Sequence, residues 1–333
     1  MVWHNQKKSS PKVNSRRTLL QASLLAATGF TTTPALAAPA SLTVVGKQGW
    51  LFPVWDVMAR IEPAQLRAVT QVYAEAITAL RAAGIAVSFG LVPSKSRTYR
   101  QFLPDGTRLN ADIDKRYPQV AAELARAGAT LPDLDAAFQA ARATQPLYFR
   151  TDTHWTPQGA ELAATTLAAR MLPGLPPSPR PGLRLAPPTE TLHAMGDLAR
   201  MLPATERDKY PAEKYLHREV LAATGANTLL EDDSADVVVV GNSFAQPRYG
   251  FAASLSSQLN RPVALAWRPN TYGAFFTMLE YLKSPAFRQR RPKALLWLNL
   301  EIDLQNLPNS SSWGTNAMPT QNFLSDLRQA LRA

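Results

Sequence analysis

An acid and an imidazole lie two residues apart in this chain, Asp152 and His154, within Tyr148-Phe149-Arg150-Thr151-Asp152-Thr153-His154-Trp155-Thr156-Pro157. Residues i and i+2 of an extended or tightly turned backbone project to the same side, so the two side chains can touch. A carboxylate on Nδ1–H fixes the tautomer, leaves Nε2 as a base and stabilises the imidazolium when it forms. Such a pair needs a nucleophile. Cysteine is excluded, because the chain has none. Ser243 is available at the end of Val237-Val238-Val239-Val240-Gly241-Asn242-Ser243-Phe244. Four consecutive valines predict a strand buried on both faces, as in a parallel sheet under helices. A small-residue turn at the C-terminal end of such a strand can expose a hydroxyl and aim the next backbone N–H at a developing oxyanion. Together the three side chains have the chemistry of a Ser-His-Asp hydrolase or acyltransferase. The plainer alternatives are a solvated loop histidine with a capping aspartate, and a serine that only caps a helix.

The chain has four histidines, His4, His154, His193 and His217. His193 and His217 fall in a polar, proline-flanked region with no adjoining carboxylate. His154 is therefore the best-placed general base.

The elements that must position these groups follow from periodicity and punctuation. Thr156 and Pro157 predict an N-cap and first helical residue, with Leu162, Ala163, Thr166, Leu167 and Met171 continuing the apolar stripe to about Leu172. Pro63 to Ala83 reads as an amphipathic helix ended by Gly84. Strands are predicted at Ile85–Leu91, Val237–Val240, Pro262–Trp267 and Ala294–Leu300, with a short one near Thr130–Leu134 between two helices. Further helices are expected near 249–259, 270–282 and 321–331. The alternation predicts an α/β fold with three layers, α/β/α, around a mostly parallel sheet. Val92-Pro93-Ser94-Lys95 closes the first of these strands, so Lys95 and Arg97 lie at its C-terminal edge. There they would contact substrate, support the wall of the site or form a solvated basic turn. Asn270 and Asn299 lie near strand ends, as oxyanion donors or ordinary turn residues. A proline-dense stretch, 173–188, and a polar segment, 206–233, mark an insertion around 173–234, with a short helix from Gly196-Asp197-Leu198.

Residues 1–37 have the composition of an export signal. The first 17 residues are polar and basic, Ser15-Arg16-Arg17-Thr18-Leu19-Leu20 resembles a twin-arginine signal, and Ala35-Leu36-Ala37 offers a cleavage site. The apolar run is shorter than the ~20 residues that span a bilayer. The domain is therefore expected to run from 38 to 333 and to act in the periplasm. The formal charge is +11, of which five positive charges precede residue 38 with no acid among them. The remaining surplus of basic residues suits an anionic polysaccharide or a membrane surface. Nucleic acid is not expected, because no dense Lys/Arg run with interleaved aromatics follows the signal.

Four segments in order carry a family resemblance: Gly46-Lys47-Gln48-Gly49-Trp50-Leu51-Phe52, Val92-Pro93-Ser94-Lys95, Asp152-Thr153-His154-Trp155 and Gly241-Asn242-Ser243-Phe244. The set resembles the alginate O-acetyltransferase family of the AlgJ/AlgX type, periplasmic proteins with a circularly permuted SGNH-hydrolase-like domain. The resemblance implies Ser243, His154 and Asp152 as the triad and Tyr249 as an active-site tyrosine. It also implies an exported polysaccharide as substrate and a membrane-bound O-acyltransferase that passes acetyl groups across. Trp155, with Trp50 and Trp55, would stack on sugars or pack in the core. No cofactor is expected, and no cluster beyond the one pair has metal-ligand spacing. Two other functions fit the same residues: a carbohydrate acetylesterase, and a non-catalytic polysaccharide-binding scaffold.

Overall fold

The computed structural model describes residues 42–221 and 235–333. The export signal expected at 1–37 lies outside the described residues. Ten strands are present among the described residues. A short hairpin, β1 (Thr43–Val45) and β2 (Leu51–Pro53), precedes β3 (Ala86–Val92). Four strands of an arm follow: β4 (Arg184–Leu185), β5 (Thr189–His193), β6 (Glu213–His217) and β7 (Val220–Leu221). The chain then returns through β8 (Val237–Gly241), β9 (Val263–Trp267) and β10 (Ala294–Leu300).

The central sheet has the order β3-β10-β8-β9, and every neighbouring pair is parallel. Strands β8 and β10 are buried along their whole length, which is what the valine run and Ala-Leu-Leu-Trp-Leu-Asn-Leu dictate for strands covered on both faces. On one face, Tyr73 of helix Pro63–Ala82 packs 4.8 Å from Phe275 and 4.8 Å from Trp297 of β10. Phe323 of helix Thr320–Arg332 lies 5.0 Å from Phe275. On the other face, a Cβ added to Gly90 of β3 would meet Leu167 of helix Pro157–Met171 and Leu298 of β10. Three layers result, as the alternation predicts.

Two predicted elements differ. The strand expected near Thr130–Leu134 is a single bridge, Ser88 to Thr130. Pro132 has no N–H to continue a ladder, and the Asp133 side chain accepts from the Ala136 N–H to start helix Leu134–Ala141. The insertion is also more ordered than a proline-rich linker. Strand β4 pairs with β7, and β5 pairs with β6, both antiparallel. The β5–β6 hairpin is the part that reaches the site.

Candidate active site

Three sheet strands deliver residues to one edge, since β3, β8 and β10 all end there. The Asp-x-His segment approaches this edge as a closed loop. Tyr148 bridges Trp155, the Phe149 N–H donates to the His154 carbonyl and the Thr156 N–H donates to the Leu147 carbonyl. Thr156 then caps helix Pro157–Met171 by accepting from the Gly159 N–H at 3.1 Å, with Pro157 at the first helical position. A rigid helix start thus anchors the C-terminal side of the loop.

Within the loop, His154 Nδ1 lies 2.7 Å from Asp152 Oδ1. Its Nε2 lies 2.8 Å from Ser243 Oγ. An ionised carboxylate only accepts, so Nδ1 carries the proton and donates it to Asp152. In the neutral ring, Nε2 then accepts from the Ser243 hydroxyl. This is the protonation pattern a general base needs before it deprotonates a serine. The serine sits in the 3-10 turn Ser243–Ala245 directly after β8 and is half-buried.

Asp152 is fully buried, and both of its oxygens are occupied. Oδ1 accepts from the His154 N–H at 3.0 Å as well as from the ring. Oδ2 accepts from His193 Nε2 and from the Asp197 N–H, each at 3.1 Å. Burial pushes the Asp152 carboxyl up, but hydrogen bonds from His154 and His193 outweigh it and hold the group below the usual carboxylate range. Asp197 Oδ1 accepts the Thr153 N–H at 2.6 Å. Glu213 of β6 accepts the backbone N–H groups of Arg150 and Thr151 at 2.7 and 2.8 Å. His193, Asp197 and Glu213 escape the sequence reasoning because each meets the loop from 41 to 63 residues away. The histidine inventory already contained His193, and only its carboxylate partner was hidden. Asp152, His154 and Asp197 place ligand-type atoms within 4.8 Å of one another, yet those of Asp152 and His154 are engaged in the contacts just described.

Several expected contacts with substrate are corrected by burial. Lys95 is 2% exposed, and its ammonium donates to the carbonyls of Arg150 and Asp152 at 3.0 and 2.8 Å. Burial lowers it to about 8, against the opposing pull of Glu213 and Asp152. Arg97, also 2% exposed, binds Glu301 through Nε and Nη2 and Asp135 through Nη1. Glu301 further accepts from Arg116 and from the Ser94 N–H. Both cations therefore face inward and fix the Ser94–Lys95 turn and the Asp-x-His loop. Trp155 is fully buried and donates its indole N–H to the Phe244 carbonyl at 3.0 Å, so it packs the core. Trp50 is buried as well, whereas Trp55 is 39% exposed.

Tyr249 stacks on the His154 ring at 5.1 Å, and its hydroxyl meets Arg248 Nη2. Burial, then the Asp152 charge, pushes this phenol well up. It also borders a cavity of about 270 Å³ walled by Pro157, Glu161, Leu216 and Arg218. The N–H after the serine is not free for an oxyanion: Phe244 N–H donates to Asn242 Oδ1 at 3.0 Å. Asn299 is buried and accepts from the Tyr73 hydroxyl at 3.0 Å. Asn270 Nδ2 donates to Asp303 Oδ1 at 3.1 Å. Burial pushes Asp303 up to about 7, and neither its Oδ2 nor Asn270 Oδ1 has a partner among the described residues.

This geometry has relatives. Residues 43–299 match the family described as SGNH hydrolase-like domain, acetyltransferase AlgX. A probable alginate O-acetylase AlgJ of Pseudomonas syringae is 31% identical over 265 residues, covering 76% of this chain and 67% of the relative. The alginate biosynthesis protein AlgX of Pseudomonas putida is 27% identical, covering 77% of this chain and 55% of the relative. Among solved structures, the O-acetyltransferase domain of Pseudomonas putida AlgJ superposes with a TM-score of 0.68 at 26% identity, covering 87% of this chain and 99% of that one. Pseudomonas aeruginosa AlgX has a TM-score of 0.61 at 19% identity, a likeness of fold, covering 85% of this chain and 67% of that one. With the match spanning most of the described residues, the chain belongs to the SGNH hydrolase-like acetyltransferase family of AlgX.

Proposed function

We propose that this chain O-acetylates hydroxyl groups of an exported polysaccharide, alginate or a related polymer, through an acetyl-serine intermediate. The observation that carries the proposal is the unbroken contact from Asp152 through His154 to Ser243, at 2.7 and 2.8 Å, in a member of an acetyltransferase family. Ser243 Oγ bonds to the acetyl carbonyl carbon, while its proton passes to His154 Nε2 and on to the departing donor oxygen. A sugar hydroxyl then gives its proton to His154 and attacks the acetyl-serine, and Ser243 leaves with that proton. The Ser243 N–H has no acceptor among the described residues and is assigned to the oxyanion. Tyr249, beside the imidazole, is assigned to orient the sugar or the donor.

The names of the relatives, which include alginate O-acetylases, support the polysaccharide as acceptor. With an export signal expected at 1–37, we assign the work to the periplasm and the delivery of the donor to a membrane-bound O-acyltransferase partner. No helix among the described residues is long and apolar enough to cross a membrane. The assembled relay argues against a scaffold that only binds sugar.

The test is mass spectrometry after exposure to an acetylated chromogenic ester. Acetate on Ser243, and its absence in Ser243→Ala with a rate loss of about 10³-fold or more, is expected. Full acetyl transfer by Ser243→Ala refutes the mechanism. Added oligosaccharide separates transfer from hydrolysis: acetylated sugar supports the transferase, and acetate alone supports an esterase.

A further inference from the structure

Asp152 serves two imidazoles. His154 uses Oδ1 at 2.7 Å, and His193 reaches Oδ2 with Nε2 at 3.1 Å. The second histidine belongs to neither the catalytic loop nor the central sheet. It ends β5, pairs in register with Glu213 of β6 and stacks on Phe149 of the catalytic loop at 4.1 Å and 22°. Tyr215 of β6 stands edge-on to both rings. The hairpin therefore presents two polar side chains to the loop. Glu213 holds the backbone of Arg150 and Thr151, and His193 holds the carboxylate itself.

We infer that His193 is a positioning residue for acetyl transfer. By donating Nε2–H to Asp152 Oδ2, it fixes the plane in which Asp152 Oδ1 meets His154. The assignment rests on the proposed Ser-His-Asp function. The carboxylate only accepts, so the His193 proton must lie on Nε2. A hydrogen bond to an ionised, desolvated group is of the stronger kind. Without it, Oδ2 keeps one anchor, the Asp197 N–H, and the carboxylate can rotate about its Cβ–Cγ bond. His154 is then less well aimed at Ser243. That loss falls on the chemical step and leaves substrate binding unchanged.

The ring does two separable things, donating and stacking, and two substitutions separate them. His193→Phe keeps an aromatic ring against Phe149 and removes the N–H. His193→Gln keeps an amide N–H at the reach of Nε2 and removes the stack. If His193 acts by donation, His193→Phe lowers kcat about 10-fold or more at unchanged KM, and His193→Gln restores most of it. If the residue only packs the hairpin, the order inverts, with His193→Phe near wild type and His193→Gln impaired, and the inference is overturned. Should both variants unfold, ¹⁵N-histidine NMR of the wild-type protein decides. An Nε2–H tautomer at His193 sustains the inference, and an Nδ1–H tautomer refutes it. Ser243→Ala is run in parallel. An inactive Ser243→Ala with a fully active His193→Phe removes only the role of His193. An active Ser243→Ala removes the triad and this inference together.

Discussion

Replacing Asp303 with asparagine should stabilise the protein above neutral pH. The carboxyl is fully enclosed and is held up at about 7, against an ordinary 3.8, because burial penalises its charge. Its Oδ1 accepts from the Asn270 amide, and Asp303 Oδ2 and Asn270 Oδ1 find no donor among the described residues. A protonated Asp303 would supply one such donor, and an ionised Asp303 supplies none. Moving a carboxyl from 3.8 to about 7 corresponds to at most about 4 kcal/mol. The sign follows from proton counts. Between 3.8 and about 7 the folded chain binds a proton that the unfolded chain has lost, so stability is greatest at low pH and falls as pH rises through that window. Asparagine has no proton to lose and adds an N–H where Oδ2 stands. The difference in unfolding free energy, variant minus wild type, should open by about 3 kcal/mol between pH 5 and pH 8, in favour of the variant. Urea unfolding followed by tryptophan fluorescence at both values measures it, and the other carboxylates cancel in the comparison. A difference that does not change with pH, or a variant weaker than wild type at pH 8, refutes the reasoning.

Three further outcomes are expected. Gly196 touches the Thr151 carbonyl so closely that a Cβ would collide with it. Gly196→Ala should displace the Asp-x-His loop and lower kcat by at least about 10-fold with little change in the far-UV spectrum; an unchanged kcat counts against that contact. Glu301→Gln leaves the buried guanidiniums of Arg97 and Arg116 without their shared anion and should cost about 3–5 kcal/mol in denaturant unfolding. A loss below 1 kcal/mol would mean that the network is solvated in solution. Lys95 sits near 8 when folded and 10.5 when not, so the unfolded chain holds the extra proton between those values. Stability of wild type relative to Lys95→Met should therefore rise across that window, by at most about 3 kcal/mol, and a flat difference contradicts it.

The parts legible in the sequence are those fixed by local rules. The valine run yields β8, the Thr156-Pro157 pair starts its helix, and the two-residue spacing of Asp152 and His154 brings carboxylate to ring. What the sequence hides depends on elements that meet only after folding. Lys95 and Arg97 look like surface cations because the carbonyls and carboxylates that absorb them come from 38 to 204 residues away. The N–H expected at the oxyanion is taken by its own neighbour, Asn242, a side-chain contact that no periodicity signals. The polar composition of 173–234 suggests a loop, and its strands exist because they pair with one another across that segment.

The β5–β6 hairpin has a consequence for how this molecule comes apart. It lies outside the four-stranded sheet and leaves Leu192 62% and Leu216 40% exposed, so limited apolar area ties it down. Regions of this kind open by local fluctuation well below the free energy that melts the whole. Detachment of the arm would strip Asp152 of one imidazole and the loop of its glutamate while the central sheet stays intact. Gentle heating or dilute urea should silence turnover while the circular dichroism is still native, and withdrawing the stress should bring turnover back at the speed of a hairpin docking.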